Sequence, residues 1–286
     1  MIRAESTATM QQLQSMVTGL PELKQNLKIA LHPPLLVDDF LFEFLHIGSL
    51  PENPISNRQS RKKLKKINEI RCLVPSLYGF AKQFGYETIM MACSASGKLE
   101  TVLANYAPHL NIVGIELRSD VAELANRRAK TFGINNVNFI AGDIFDERIE
   151  SIVKSCGSIL TASLHACGLL TDRLMELGTN AGAGVFTVPC CYGKIDRENF
   201  PRSKVFSERL DKFEAGKVCD LVTKYDSALA DGKKWVVAEL VRAIIDADRL
   251  HYLNEKDYSA DTVSFRQIPL YLGPFSKAIM GTPVVR

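Results

Sequence analysis

The sequence lacks the features that mark several classes of protein. It has one tryptophan, no internal repeat and no low-complexity segment. No apolar run approaches the roughly 18 residues that a membrane-spanning helix needs. The first 25 residues contain no apolar stretch of about 7–15 residues behind a basic end, as a secretory signal would. We therefore expect neither a membrane partner nor export.

Cysteine is present, but not in the pattern of a disulfide-stapled protein. Seven cysteines, an odd number, are spread over 286 residues. Reduced thiols and a cytoplasmic location fit this usage better than a disulfide framework. Hydrophobic residues make up 46% of the chain and charged residues 23%, which predicts a globular protein with a substantial core. The net charge of +3 permits a nucleic-acid partner without requiring one.

The first sixty residues differ from the rest of the chain. Amphipathic helices are predicted around Gln11–Ile29 and Leu35–His46. The segment Gly48–Ser60 is rich in proline, asparagine and serine, which is typical of a connector. We therefore divide the chain into a helical N-terminal extension, residues 1–60, and a main domain, residues 61–286.

A strongly basic segment, Arg58–Arg71, begins at this boundary. Within and just beyond it, Ile67, Ile70 and Val74 recur at helical spacing, so the sequence predicts an amphipathic helix with one apolar stripe. Two interpretations of its basic face remain open. The face contacts the phosphates of RNA, or it is an ordinary solvated helix surface.

Beyond this helix, short apolar runs alternate with segments of helical period. Predicted strands are Thr88–Ala92, Asn111–Glu116, Val137–Ala141, Ser158–His165, Val185–Val188, Asp261–Ile268 and Lys277–Met280. Predicted helices are Lys98–Tyr106, Asp120–Phe132, Thr171–Asn180 and Lys234–Leu253. This order predicts a doubly wound, Rossmann-like α/β fold, with a mostly parallel sheet, helices on both faces and an antiparallel closing strand.

Small and acidic residues follow the first three predicted strands. The loop Cys93–Gly97 is built of small residues, which let a backbone approach a ligand closely. Glu116 is placed to accept hydrogen bonds from ribose hydroxyls, and Asp143 from an adenine amine. A P-loop would need glycine at Ala92 and serine or threonine at Leu99. These features indicate a nucleotide-like ligand at one edge of the sheet.

This arrangement resembles the class I S-adenosylmethionine-dependent methyltransferases. Their first motif is an acid followed by Gly-x-Gly-x-Gly, and here Met91, Cys93 and Ala95 occupy the places of the acid and of the first two glycines. The resemblance implies S-adenosylmethionine as the cofactor. The cofactor-binding residues that it implies are Cys93, Ser94, Ala95, Gly97, Glu116, Leu117, Asp143, Ile144 and Leu164.

Two later strings make the resemblance more specific: Leu164–Asp172, which contains His-Ala-Cys-Gly, and Val188–Gly193, which contains Pro-Cys-Cys-Tyr. Together they are similar to one branch of these enzymes. It includes the glutathione S-transferase C-terminal-domain-containing protein, related methyltransferase-like proteins and, more distantly, transfer-RNA ribose methylases. Asp246–Arg249 and Pro274–Lys277 resemble the closing segment of that branch.

The strand assignment brings His165, Cys167, Cys190 and Cys191 to one crevice, and three interpretations remain open. They are a zinc set, a thiolate that adds to carbon 6 of a pyrimidine, and cysteines that pack under the cofactor. Neighbouring cysteines in sequence rarely both reach one ion, so no metal is expected. The candidate catalytic residues are His165, as a general base or orienting group, Cys190 and Asp172.

The sequence predicts an S-adenosylmethionine-dependent methyltransferase whose substrate is RNA, transfer or ribosomal, contacted through Arg58–Arg71. The Asn/Asp-Pro-Pro-Tyr/Phe motif of base amino-group methylases is missing after the fourth strand, and Tyr192 is placed to stack on a planar substrate or simply to pack. Two alternatives remain. One is methylation of a small molecule or a protein. The other is a non-catalytic binding module, which the substituted loop motivates.

Overall fold

The structure is a computed structural model, and it describes residues 58–225, 232–264 and 277–284. The predicted helices Gln11–Ile29 and Leu35–His46, and the predicted connector as far as residue 57, lie outside the described residues.

Helices and strands alternate through most of the described chain. The helices are α1 (Arg58–Phe84), α2 (Lys98–Tyr106), α3 (Ser119–Thr131), α4 (Glu147–Ser155), α5 (Leu169–Ala181), α6 (Lys204–Arg209), α7 (Lys212–Tyr225) and α8 (Gly232–Glu255). The strands are β1 (Thr88–Ala92), β2 (Asn111–Glu116), β3 (Val137–Ala141), β4 (Ile159–Cys167), β5 (Gly184–Cys190), β6 (Tyr258–Ser264) and β7 (Lys277–Pro283). A short 3₁₀ helix, Tyr192–Lys194, follows β5. None of these helices combines the length and apolar character needed to cross a bilayer.

The strands form one seven-stranded sheet in the order β3-β2-β1-β4-β5-β7-β6. Strands β1 to β5 are parallel, β7 is antiparallel to β5, and β6 is antiparallel to β7. The order reverses between β1 and β4, where Thr88 pairs with Asn111 on one side and Ile159 on the other. In parallel sheets, ligands bind at this switch point, beyond the carboxyl ends of the strands. The predicted doubly wound fold is confirmed.

The apolar stripe predicted for the basic helix lies in the core. Ile67, Ile70 and Val74 of α1 are fully buried, in one apolar cluster with residues of β1, β4 and α2. The helix begins at Arg58 and continues without a break for 27 residues. One rigid element therefore joins the basic segment to the centre of the domain.

A polar cluster is buried where α8 packs against α5 and the 3₁₀ helix. Nε of Arg249 lies 2.8 Å from Oδ1 of Asp172, and its Nη1 lies 3.4 Å from Oδ1 of Asp246. The hydroxyl of Tyr192 donates to Asp246 at 2.9 Å. We call these four residues the Arg249 cluster. It fixes α8, the last long helix, to the half of the sheet that carries β4 and β5.

Candidate active site

Strained backbone is concentrated at the carboxyl ends of the parallel strands. Among the described residues, five that are not glycine have positive φ, and four of them follow or end β1, β4 and β5: Cys93 (60°), Ala95 (47°), His165 (65°) and Cys191 (49°). The fifth is Asp257. Such conformations cost roughly 1–3 kcal/mol each and gather at functional sites. Backbone strain is thus concentrated at the edge of the sheet where the strand order reverses.

The loop after β1 follows the course of a glycine loop although only one of its three glycine positions holds glycine. Positive φ alternates at Cys93, Ala95 and Gly97, which are the three glycine places of the predicted motif. A Cβ atom at Gly97 would overlap the ring of Phe139. The backbone of this loop therefore keeps the conformation that lets a ligand approach it closely.

The strain at Ala95 gives a stability prediction. The left-handed conformation costs a residue with a Cβ roughly 1–2 kcal/mol, and the Ala95 side chain is exposed, so it contributes little packing. Glycine removes this strain, but it also gives the unfolded chain more entropy, which costs roughly 0.5–1 kcal/mol of stability. We therefore expect Ala95→Gly to raise the free energy of unfolding by up to about 1 kcal/mol. Urea unfolding measures it. The comparison variant Ala95→Val should be destabilised, and a glycine variant less stable than the wild type would contradict the strained loop.

Glu116, at the end of β2, joins this loop to its neighbouring strand. Its Oε2 accepts a hydrogen bond from the Ala95 backbone N–H at 2.8 Å, and its Oε1 accepts from the Arg118 N–H at 3.2 Å. Each carboxylate oxygen can accept more than one hydrogen bond. Glu116 therefore both holds the loop and keeps acceptor capacity for ribose hydroxyls.

The end of β3 offers an acid with apolar neighbours. Asp143 is exposed, and its Oδ1 accepts from the Phe145 N–H at 3.0 Å. Phe145 is 46% exposed, and Leu117, after β2, is 68% exposed. Ile144 is buried in an apolar cluster against which Cys93 of the loop also packs, and its contact with the cofactor stays a prediction. The exposed aromatic is Phe145, which the sequence analysis missed, although an apolar residue in a strand-end loop was a usable signal.

A carboxyl group is buried beneath the loop. Met91 stands in the place of the motif's acid and is apolar and buried, whereas Glu100, in the first turn of α2, is 3% exposed. Burial raises the pKa of Glu100 to about 7, although hydrogen bonds to its own backbone and to Ser94, with the charge of Lys66, act in the opposite direction. Ser94 is itself buried, and its hydroxyl donates to the Met91 carbonyl at 3.0 Å.

His165 is held by a carboxylate from another element. Its Nε2 lies 2.8 Å from Oε1 of Glu69 in α1, and Nζ of Lys65 lies 3.5 Å from the same oxygen. Burial on its own raises the pKa of Glu69, but the hydrogen bond and charge of His165, with two neighbouring lysines, lower it below the ordinary value. A histidine oriented by an acid is the arrangement of a general base. The sequence analysis missed Glu69 because only the tertiary fold brings it to His165.

Three thiols meet beside His165. Sγ of Cys167 lies 3.3 Å from Sγ of Cys190 and 3.2 Å from Sγ of Cys191. Burial and the neighbouring thiols raise the pKa of Cys190, and burial raises that of Cys93 to about 11. A nucleophile needs the thiolate form, which these surroundings disfavour. The nucleophilic role of Cys190 stays a prediction, and its position is that of a packed thiol.

Two predicted site residues lie in the Arg249 cluster instead of the crevice. Asp172 is 2% exposed and forms the ion pair with Arg249, so its contacts are structural and a catalytic role is not supported. Tyr192 is buried with its hydroxyl on Asp246, so it packs and is not available to stack on a substrate. Leu164 is half-buried beside the main core cluster, next to His165.

The carboxyl-terminal edge of the parallel strands thus combines a strained loop of small residues, two strand-end carboxylates and a histidine paired with a carboxylate. Residues 62–198 match the family model of a methyltransferase domain. This part of the chain, just under half of it, is therefore similar to a methyltransferase domain, which agrees with the predicted enzyme class.

The curated relatives are glutathione S-transferase C-terminal domain-containing proteins. The chain is 27% identical to the Homo sapiens protein over 228 residues, which cover 79% of this chain and 34% of that protein. It is 26% identical to the Xenopus laevis protein over 273 residues, covering 94% and 42%. A homolog in Drosophila melanogaster is 31% identical over 128 residues, covering 44% and 21%. The chain therefore spans less than half the length of these relatives.

Among solved structures, the chain is similar to an S-adenosylhomocysteine-bound methyltransferase of Podospora anserina, with a TM-score of 0.44 and 10% identity over 93% of this chain and 100% of that one. It is also similar to the magnesium protoporphyrin IX methyltransferase of Synechocystis PCC 6803, with a TM-score of 0.42 and 10% identity over 88% and 98%.

Proposed function

We propose that this chain transfers the methyl group of S-adenosylmethionine to RNA. The observation that carries the RNA substrate is the continuity of α1. The helix begins in the basic segment Arg58–Arg71, and Glu69 within that segment contacts His165 at the crevice. A polyanion bound along the start of α1 would therefore lie beside the group that accepts the proton.

The crevice residues fit the cofactor. The loop Cys93–Gly97 offers a close-approaching backbone to its methionine part, Glu116 offers acceptors to its ribose, and Asp143 offers an acceptor to its adenine amine. Leu117 and Phe145 supply exposed apolar surface for a planar ring. When bound, S-adenosylmethionine supplies an activated methyl group on a sulfonium sulfur.

Most of the catalysis is then positioning, because methyl transfer is an in-line displacement. His165 receives the proton that the accepting hydroxyl or ring group loses. Glu69 is a positioning residue, because it holds the imidazole through Nε2.

The adenine assignment is tested at Asp143. We expect Asp143→Ala to weaken the affinity for S-adenosylmethionine by about 1–3 kcal/mol, because the adenine amine would lose its acceptor on burial. Isothermal titration calorimetry measures this, with S-adenosylhomocysteine as a second ligand. Asp220→Ala, which removes an exposed carboxylate in α7, is the control and should bind as the wild type. Equal affinity of both variants would remove Asp143 from the adenine role.

The RNA assignment is tested by charge removal. We expect Lys62→Gln/Lys63→Gln to weaken binding of a transfer-RNA pool in filter assays at low salt. The slope of log affinity against log salt should fall by about 1.4–1.8 if both lysines contact phosphate, since each lost contact contributes about 0.7 on a single strand and about 0.9 on a duplex. The control Lys82→Gln/Lys130→Gln removes the same charge from the carboxyl-terminal ends of α1 and α3. An equal loss of RNA affinity in both double variants would indicate non-specific attraction of RNA to positive charge.

Methyl transfer is then followed with labelled methyl donor on the same pool. Incorporation that the basic-segment variant reduces and the control does not would support RNA as the substrate. Cofactor binding without incorporation or RNA affinity would favour a small-molecule or protein acceptor. Absence of cofactor binding by folded protein would favour the binding-module alternative.

A further inference from the structure

The three thiols beside His165 form a compact group of metal-ligand type. The sulfur atoms of Cys167, Cys190 and Cys191 all lie within 4.8 Å of one another. Within the described residues, no other histidine, cysteine or acid joins this group. Cys190 is buried and the other two are half-buried, so solvent reaches part of the group.

Backbone geometry explains how two cysteines adjacent in sequence reach one point. In a strand, successive side chains point to opposite faces. Cys190 ends β5, but Cys191 has φ of 49° and caps the 3₁₀ helix, so the chain leaves the strand geometry between them. Cys167 pairs directly with Cys190 across the sheet, after an irregularity in β4. The sequence-based objection to a shared ion therefore does not apply.

The chain is also held in this arrangement by a close backbone contact. Gly168, after Cys167, has φ of 52°, and a Cβ there would overlap the carbonyl of Lys194. The peptide N–H of Gly168 donates to the Cys190 carbonyl at 3.0 Å. The end of β4 and the 3₁₀ helix are thus packed together, which preorganises the three sulfurs before any ion binds.

The sulfur spacing fits a tetrahedral ion better than a disulfide. A disulfide needs an S–S distance of about 2.05 Å and uses two of the three sulfurs. Zinc–thiolate bonds of about 2.3 Å at tetrahedral angles place sulfurs about 3.8 Å apart. The distances of 3.2 and 3.3 Å need to open by only about half an ångström to meet that value.

We propose that Cys167, Cys190 and Cys191 bind a zinc ion as three thiolates, and that its fourth coordination position is filled by an exchangeable ligand from the crevice. Three protein ligands with one open position are typical of zinc sites that contact a substrate or water, whereas closed structural sites use four. Binding releases the thiol protons to solvent. This site does not depend on the identity of the methyl acceptor.

The test is metal binding by the full chain without S-adenosylmethionine. Purified protein, reduced and freed of metal by a chelator, is titrated with zinc against a chromophoric competitor, and bound metal is counted by mass spectrometry. We expect about one zinc per chain. Cys167→Ser, Cys190→Ser and Cys191→Ser should each weaken binding on the order of 100-fold or more, since even indirect contacts to a metal contribute 10–100-fold. The controls Cys72→Ser and Cys156→Ser should bind as the wild type.

A second measurement uses the wild type alone, in case a variant fails to fold. Zinc should slow alkylation of Cys167 and Cys191 by iodoacetamide, read peptide by peptide, while Cys72 and Cys156 react at unchanged rates. Cobalt in place of zinc should give the absorption of a tetrahedral thiolate site. Folded protein that binds no zinc, or zinc whose affinity the three variants leave unchanged, would overturn the proposal. Because no methyl donor is present, either result is independent of the methyltransferase activity.

Discussion

Replacing Arg249 by methionine is expected to lower the free energy of unfolding by about 3–5 kcal/mol, the usual effect of removing one partner of a buried ion pair. The guanidinium is 1% exposed and lies between the carboxylates of Asp172 and Asp246. Without it, both buried acids would lose their ion-pair partner. Burial already raises the pKa of Asp246, and Arg249 is the strongest influence that counteracts this rise.

Urea unfolding of the variant checks this result. Arg197→Met is the control: its guanidinium pairs with Asp220 at 2.6 Å on the surface, where an ion pair contributes about 0–1 kcal/mol. The deficit of Arg249→Met should be smaller at pH 5 than at pH 8, because a raised folded-state pKa makes a buried acid more destabilising as the pH rises. A loss below about 1 kcal/mol would mean that packing, not charge, holds the cluster.

Glu100→Gln is expected to stabilise the protein at alkaline pH, by about 3 kcal/mol. The pKa of Glu100 is raised by burial to about 7 from an ordinary value of 4.5, and each unit corresponds to about 1.4 kcal/mol. Between these two values the folded chain binds more protons than the unfolded chain, so wild-type stability falls as the pH rises. Above pH 7 the whole penalty is present.

The measurement is the difference in unfolding free energy between wild type and Glu100→Gln from pH 5 to pH 9. Taking the difference removes the titration of other groups that the two proteins share. It should be small at pH 5 and grow through pH 7. Glu87→Gln, which changes an exposed acid before β1, is the matched control. A pH-independent difference at Glu100 would show that its carboxyl is charged throughout.

The parallel sheet could be predicted from local pattern. Strands β1, β2 and β3 have the predicted bounds, because buried apolar runs between turn residues leave little ambiguity. Helices α4, α6 and α7 were missed, although α7 places Ala215, Val218 and Val222 at helical spacing on its buried face. This spacing of apolar residues is a helical pattern that the sequence itself contains.

The site could be predicted only in part. The small-residue loop comes directly after β1, Glu116 ends β2, and Asp143 comes shortly after β3. Topology alone therefore places all three at one edge of the sheet. The pairing of Glu69 with His165 joins residues that are 96 positions apart, and no local pattern encodes it. Asp172 sits in the predicted helix, but its burial against Arg249 depends on where α8 packs. The approach of both Cys190 and Cys191 to Cys167 accompanies the left-handed backbone of Cys191, which no local pattern encodes.

The strand order has a consequence for how the chain folds. Thr88 must pair with Ile159, about 70 residues later, and closing such a loop costs about 4 kcal/mol of chain entropy by the (3/2)RT ln n relation. Pairing β1 with β4 therefore carries a substantial entropic cost, and the switch point of the sheet lies at the carboxyl ends of these two strands. A ligand that bridges the two sides stabilises the folded chain by about 2.7 kcal/mol at 100 times its Kd. A methyl donor bound across β1 and β4 would therefore stabilise the folded chain in addition to serving the proposed reaction.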